Sequence, residues 1–144
     1  MKNFTILLSF LCFSFVSFSQ VRDEQMRLQE RLPDIAIVQT MLGNGWYKVE
    51  LKGQLFLYHF VGSQASGYES MTKLNEGSFQ VNPIPGVQVD RNIYGDLISN
   101  LPLNCSIVEI LGKGWFVIEF EKGVYYLYHK TGTNYGAECL VRLN

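Results

Sequence analysis

Leu42-Gly43-Asn44-Gly45-Trp46 returns 69 positions later as Leu111-Gly112-Lys113-Gly114-Trp115. Extending the match in both directions lays residues 32–75 over residues 101–144 at the same offset at both ends. The second copy gains one residue in its middle and loses one later. The further landmarks are Glu50 against Glu119, Lys52-Gly53 against Lys122-Gly123, and Leu57-Tyr58-His59 against Leu127-Tyr128-His129. Gly67, Glu69, Leu74 and Asn75 then meet Gly136, Glu138, Leu143 and Asn144. One unit has been written twice, and self-similarity at a fixed period is the signature of repeated supersecondary structure.

Each copy reads as a run of strands. β-branched and apolar residues lead into the Gly-x-Gly turn, where glycine takes positive φ without a steric penalty. The strand after it alternates. Tyr47, Val49 and Leu51 share one face and Trp46, Lys48 and Glu50 the other, while Phe116, Ile118 and Phe120 oppose Trp115, Val117 and Glu119. Side chains of successive strand residues point to opposite sides, so the first set in each copy is assigned to a core. The Lys-Gly turn and an aromatic strand complete a hairpin, and a short alternating strand closes the unit. Aromatic residues at 14% and frequent glycine agree with short strands and tight turns. The residue inserted within Phe120-Glu121-Lys122 predicts a bulge or a longer turn there.

Leu-Gly-x-Gly-Trp, an alternating strand, Lys-Gly and an aromatic strand resemble the bacterial SH3-like family. Val87-Gln88-Val89-Asp90-Arg91 resembles that family's opening strand, and residues 95–102 resemble the segment before its second strand. The resemblance covers residues 87–129 and, in the first copy, begins near Leu32. The family's Gly-Tyr-Val ending stands here as Phe56-Leu57-Tyr58 and Tyr126-Leu127-Tyr128, and each copy carries an additional strand after it. The resemblance implies an all-β chain of two tandem small SH3-like β-barrel units. A different small β-barrel is the alternative. The charged residues 21–31 fit a short helix or a strand.

Residues 1–19 carry the layout of a secretory signal. Lys2 precedes an uncharged stretch from Phe4 to Phe18, and Ser17-Phe18-Ser19 places small residues at −3 and −1 of a cut before Gln20. A single-pass anchor is the rival reading, but the stretch falls short of the roughly 18 apolar residues that span a bilayer. A lipid attachment at Cys12 lacks the preceding small residues. The organisation expected is a signal peptide over 1–19, a first unit over 20–75, a linker over 76–86 containing Pro83-Ile84-Pro85-Gly86, and a second unit over 87–144. Each unit alone would have a marginal core, so the copies are expected to pack together.

Charge narrows the function. Lys2 is the only charged residue of 1–19, so its removal takes the net charge from −1 to −2. A mildly acidic chain without a basic run has no footprint for nucleic acid or an anionic membrane surface, and no membrane span is expected in the mature form.

Catalytic chemistry finds little to stand on. His59 and His129 occupy the same repeat position, and Cys105 and Cys139 are replaced in the first copy by Ala36 and Ser70. A Cys–His pair is therefore assigned a structural role, and Glu50 and Glu119 read as strand residues facing solvent. A metal site made of the two histidines with Glu69 or Glu138 would need the copies to face each other, and no ligand spacing supports it. Neither a catalytic residue, a metal nor a cofactor is expected. Gly43-Asn44-Gly45 precedes a strand and not a helix, which removes a phosphate-cradling loop.

The aromatic positions carry the functional expectation. Trp46 with Phe56 or Tyr58, and Trp115 with Tyr126 or Tyr128, are expected to form exposed grooves suited to a peptide or glycan, the alternative being that these rings form the interface between the two copies or cap the barrel ends. SH3-like modules of this kind resemble targeting domains for cell-wall peptides and proteins, so the chain is expected to be an exported, non-catalytic binding module of the cell envelope, periplasmic or extracellular. Its partner would be a cell-wall peptide or an envelope protein. The alternative is a structural or assembly component whose aromatic faces mediate protein–protein contact or self-association. Export also predicts a disulfide between Cys105 and Cys139, gained as a pair in the second copy.

Overall fold

The computed structural model describes residues 22–62, 67–82, 101, 105–130 and 138–144. The expected signal peptide over 1–19, Pro83-Ile84-Pro85-Gly86 and the stretch 87–100 lie outside the described residues. The chain divides into an N-terminal unit ending at Leu32 and a unit over 33–144. In the first, residues 22–31 form a helix, settling the ambiguity of that charged stretch. Leu28 and Leu32, one turn apart and both buried, are its apolar side.

The described residues of the second unit form strands, turns and loops only. The first copy forms β1 (Ile37–Gly43), β2 (Trp46–Leu51), β3 (Gln54–Val61) and β4 (Tyr68–Gly77); the second forms β5 (Ser106–Gly112), β6 (Trp115–Glu121), β7 (Val124–Lys130) and β8 (Glu138–Arg142). Each set is a four-stranded antiparallel sheet in sequential strand order, with no pairing of its first strand to its last among the described residues. Among the described residues the two copies therefore share a four-stranded sheet, and no closed barrel is formed there. β4 runs through Gly77, two residues into the stretch expected to be linker.

The repeat holds to the level of irregularities. The β1–β2 ladder shifts register between Val38 and Thr40 and between Met41 and Gly43, and the β5–β6 ladder shifts between Ile107 and Glu109 and between Ile110 and Gly112. All four pairs obey the 69-residue offset. Gly45 and Gly114 show why the Gly-x-Gly turn is kept. Both have positive φ, and a Cβ on either would stand 2.3 Å from a backbone oxygen, that of Phe60 or of Lys130. The turn is held to the neighbouring strand there, Phe60 N donating to Gly45 O at 2.9 Å and Lys130 N to Gly114 O at 3.1 Å.

Hairpin register follows from the second turn. Lys52 and Gly53 both have positive φ, as a two-residue type I′ turn requires, so Leu51 pairs with Gln54 and Trp46 with His59. In the second copy Glu121 pairs with Val124, and the ladder slips by one residue between Glu119 and Glu121. The inserted residue is thus accommodated as a bulge at Phe120. Beyond it the register recovers, and Trp115 faces His129.

The two sheets use their faces differently. The first sheet buries Tyr47, Val49 and Leu51, the alternating set expected for a core, and with them Phe56, Tyr58 and Phe60 of β3. The second sheet buries both faces. Phe116, Ile118 and Tyr128 form a cluster with Leu101, Cys105, Ile107 and Ile110, while Trp115, Val117, Leu127, His129, Cys139 and Val141 are buried on the other side. That other side lies on the core face of the first sheet, as the edge contact of Trp115 with Tyr58 at 6.3 Å between ring centroids shows. Lys73 Nζ donates to Leu143 O at 2.6 Å, and Lys52 pairs with Glu109 at 2.6 Å in a largely shielded position, both linking the copies.

Candidate aromatic face and the polar cluster between the copies

One ring pair is built twice. Trp46 stacks on His59 with centroids 4.0 Å apart and planes 6° from parallel, and Trp115 stacks on His129 at 4.1 Å and 6°. The pairing is a consequence of register, since directly opposed residues of an antiparallel ladder project from the same face. The environments diverge completely. Trp46 is 36% exposed and Trp115 is 0% exposed.

The expected grooves are corrected accordingly. Tyr58 opposes Tyr47 and Phe56 opposes Val49, so both rings lie on the core side, away from Trp46, and are buried. Trp115 is core because the first sheet covers its face. Tyr128 opposes Phe116 on the reverse side and is buried in the cluster there. Tyr126 is half-buried, meeting Phe120 edge-on at 5.3 Å and packing against the same cluster. Of the six aromatic residues assigned to ligand binding, Trp46 is the one at the surface. Its companions are His59 and, through His59, Tyr68, which is 62% exposed with its ring 5.7 Å from the imidazole. Lys48, Ser70 and Thr72 surround them on the same face. His59 and Tyr68 were missed because their parity depends on the pairing partner, which the Lys52-Gly53 turn length could have supplied.

No disulfide joins Cys105 and Cys139; both are thiols. Cys105 packs against the Phe116–Ile118–Tyr128 cluster, whereas Cys139 is in register with His129, on the side that faces the first sheet.

A polar cluster fills part of that interface. Glu69 and His129 are both buried, with Glu69 Oε2 2.7 Å from His129 Nδ1. Tyr58 donates its hydroxyl to Glu69 Oε1 at 2.5 Å. His129 Nε2 lies 3.2 Å from the Lys113 carbonyl oxygen. Ligand-capable atoms of Glu69, His129 and Cys139 all fall within 4.8 Å of one another. The Tyr–Glu half recurs in the second copy, where Tyr128 donates to Glu138 Oε1 at 2.7 Å, but there Glu138 is exposed. Burial pushes the Tyr128 hydroxyl well above the ordinary tyrosine range, and the hydrogen bond to Glu138 adds to the effect.

Among the described residues no helix is long and apolar enough to cross a membrane. No family model, curated protein or solved structure matches the chain.

Proposed function

We propose that this chain is an exported, non-catalytic binding module of the cell envelope, made of two divergent SH3-like units, and that the first copy carries the ligand face at Trp46, His59 and Tyr68. The supporting observation is that one of two identically stacked Trp–His pairs is left on the surface, on a sheet face where the polar Lys48, Ser70 and Thr72 stand beside the apolar Leu57 and Val61. A stacked, partly exposed indole is already ordered before a ligand arrives, so it gains contact area while losing little conformational freedom. An aromatic plane bordered by Lys48, Ser70 and Thr72 suits a cell-wall peptide or a protein segment with both apolar and polar groups.

Binding of the mature chain to isolated cell-wall sacculi tests the reading. Trp46→Ala is expected to weaken retention by about tenfold or more, the loss of a central aromatic contact, while the far-ultraviolet dichroism stays unchanged. Retention equal to that of the parent chain would remove the Trp46 face from the function. A mass that rises with concentration and falls back in Trp46→Ala would assign the same face to self-association instead.

A further inference from the structure

We infer that Glu69, His129 and Cys139 form a site for a thiophilic divalent cation of the zinc class, held between the two copies. The imidazole carries the first argument. A carbonyl oxygen can only accept, so a hydrogen bond at the 3.2 Å contact with the Lys113 carbonyl places a proton on His129 Nε2. The neutral ring then presents the lone pair of Nδ1 to a carboxylate oxygen 2.7 Å away. That contact is bridged by a proton, carried by the ring or by the carboxyl group, or by a metal ion.

The surroundings favour the metal. Cys139 brings a third ligand type to the same point, and sulfur, imidazole nitrogen and carboxylate oxygen are the donors zinc takes. The outer contacts are those of a ligating set: the histidine gives its remaining N–H to a backbone carbonyl, and the other carboxylate oxygen is held by the Tyr58 hydroxyl. Charge also balances. A divalent cation with one carboxylate, one thiolate and one neutral imidazole is neutral overall, which limits the penalty of burying ions at a site where all three residues are at least nine-tenths buried. Three protein ligands leave one tetrahedral position for a small ligand such as water.

Assembly is the chemical consequence. Glu69 comes from β4 and the other two ligands from β7 and β8, so the cation ties one copy to the other. On binding, the Cys139 Sγ–H proton goes to solvent and a metal–sulfur bond forms; any proton on His129 Nδ1 leaves as well. No electron is transferred. The inference stands apart from what the Trp46 face binds.

Cobalt(II) titration of the chelator-treated mature chain is the test, because a cobalt–thiolate bond gives a charge-transfer band in the near ultraviolet that oxygen and nitrogen ligands do not. One equivalent is expected to bind with that band and to be displaced by zinc. Cys139→Ser, close in size to the parent side chain and checked for folding by far-ultraviolet dichroism, should lose the band and bind at least about tenfold more weakly. Glu69→Gln should keep the band at reduced affinity. Absence of stoichiometric binding by the parent chain, or equal affinity in Cys139→Ser, would overturn the metal site and leave a buried imidazolium–carboxylate pair.

Discussion

The two copies present the same Trp–His stack, one to solvent and one to the other copy, and three substitutions between them account for the difference. Lys48, Ser70 and Thr72 of the first copy stand where the second has Val117, Cys139 and Val141. All six lie on the face that carries the stacked pair. In the second copy that face is dry because the first sheet covers it, and a lysine, serine or threonine there would need a partner to offset its lost hydration. In the first copy the face meets water and tolerates them. A duplicated unit thus acquires a buried side by changing polarity at a few positions, with register, turns and bulges left alone.

The sharpest way to break this comparison is to exchange the residues that define it. Val117→Lys buries an ammonium group in the interface and is expected to destabilise the fold by more than about 4 kcal/mol, in the range of uncompensated buried charges. Lys48→Val, its mirror, should change stability by less than about 1 kcal/mol, since it removes only an exposed pair with Glu76 at 3.4 Å. Urea denaturation of both variants gives the measurement. Equal effects would mean that the two faces are not differently covered.

The Trp positions come next. Trp115→Ala should cost about 3–5 kcal/mol, as expected when a fully buried indole is deleted, and Trp46→Ala less than about 1 kcal/mol. Denaturation midpoints of the pair would show this. A large loss in Trp46→Ala would place that ring in a second core and withdraw it from ligand binding.

The tyrosines sharpen the comparison at lower amplitude. Tyr58→Phe takes a donor from a buried carboxylate and should cost about 1–3 kcal/mol, whereas Tyr128→Phe, whose acceptor Glu138 is exposed, should cost less than about 1 kcal/mol at neutral pH. Alkaline titration adds a signature specific to Tyr128. Its folded pKa is raised, so the unfolded chain releases this proton first; the contribution is fully present below the unfolded value of about 10 and is lost as pH rises above it. Stability should therefore fall above pH about 10, and less steeply in Tyr128→Phe.

Much of the fold was legible. The Gly-x-Gly and Lys-Gly turns located the hairpins, the alternation of Tyr47, Val49 and Leu51 marked the core side of β2, and the extra residue at Phe120 announced its bulge. The exposed grooves do not form because the residue-by-residue pairing of β3 with β2 sets which rings share a face. Once the two-residue turn sets Leu51 opposite Gln54, Phe56 and Tyr58 necessarily share the core face and His59 meets Trp46. The Cys105–Cys139 bridge failed for a similar reason. Two cysteines near one sheet can sit on opposite sides of it, and only the pairing of Cys139 with His129 shows which.

What the sequence determined by itself was local and periodic: the repeat, the turns and the alternation along β2, all of which follow from backbone sterics and the two-residue period of a strand. What only the tertiary structure decided was which copy covers which. Burial of Trp115 and exposure of Trp46, and the meeting of Glu69 from one copy with His129 and Cys139 from the other, depend on contacts between residues some 60 to 70 positions apart. No local preference encodes such contacts. They arise because a single sheet with one apolar face must find another surface to bury it, and here that surface was the second copy's altered side.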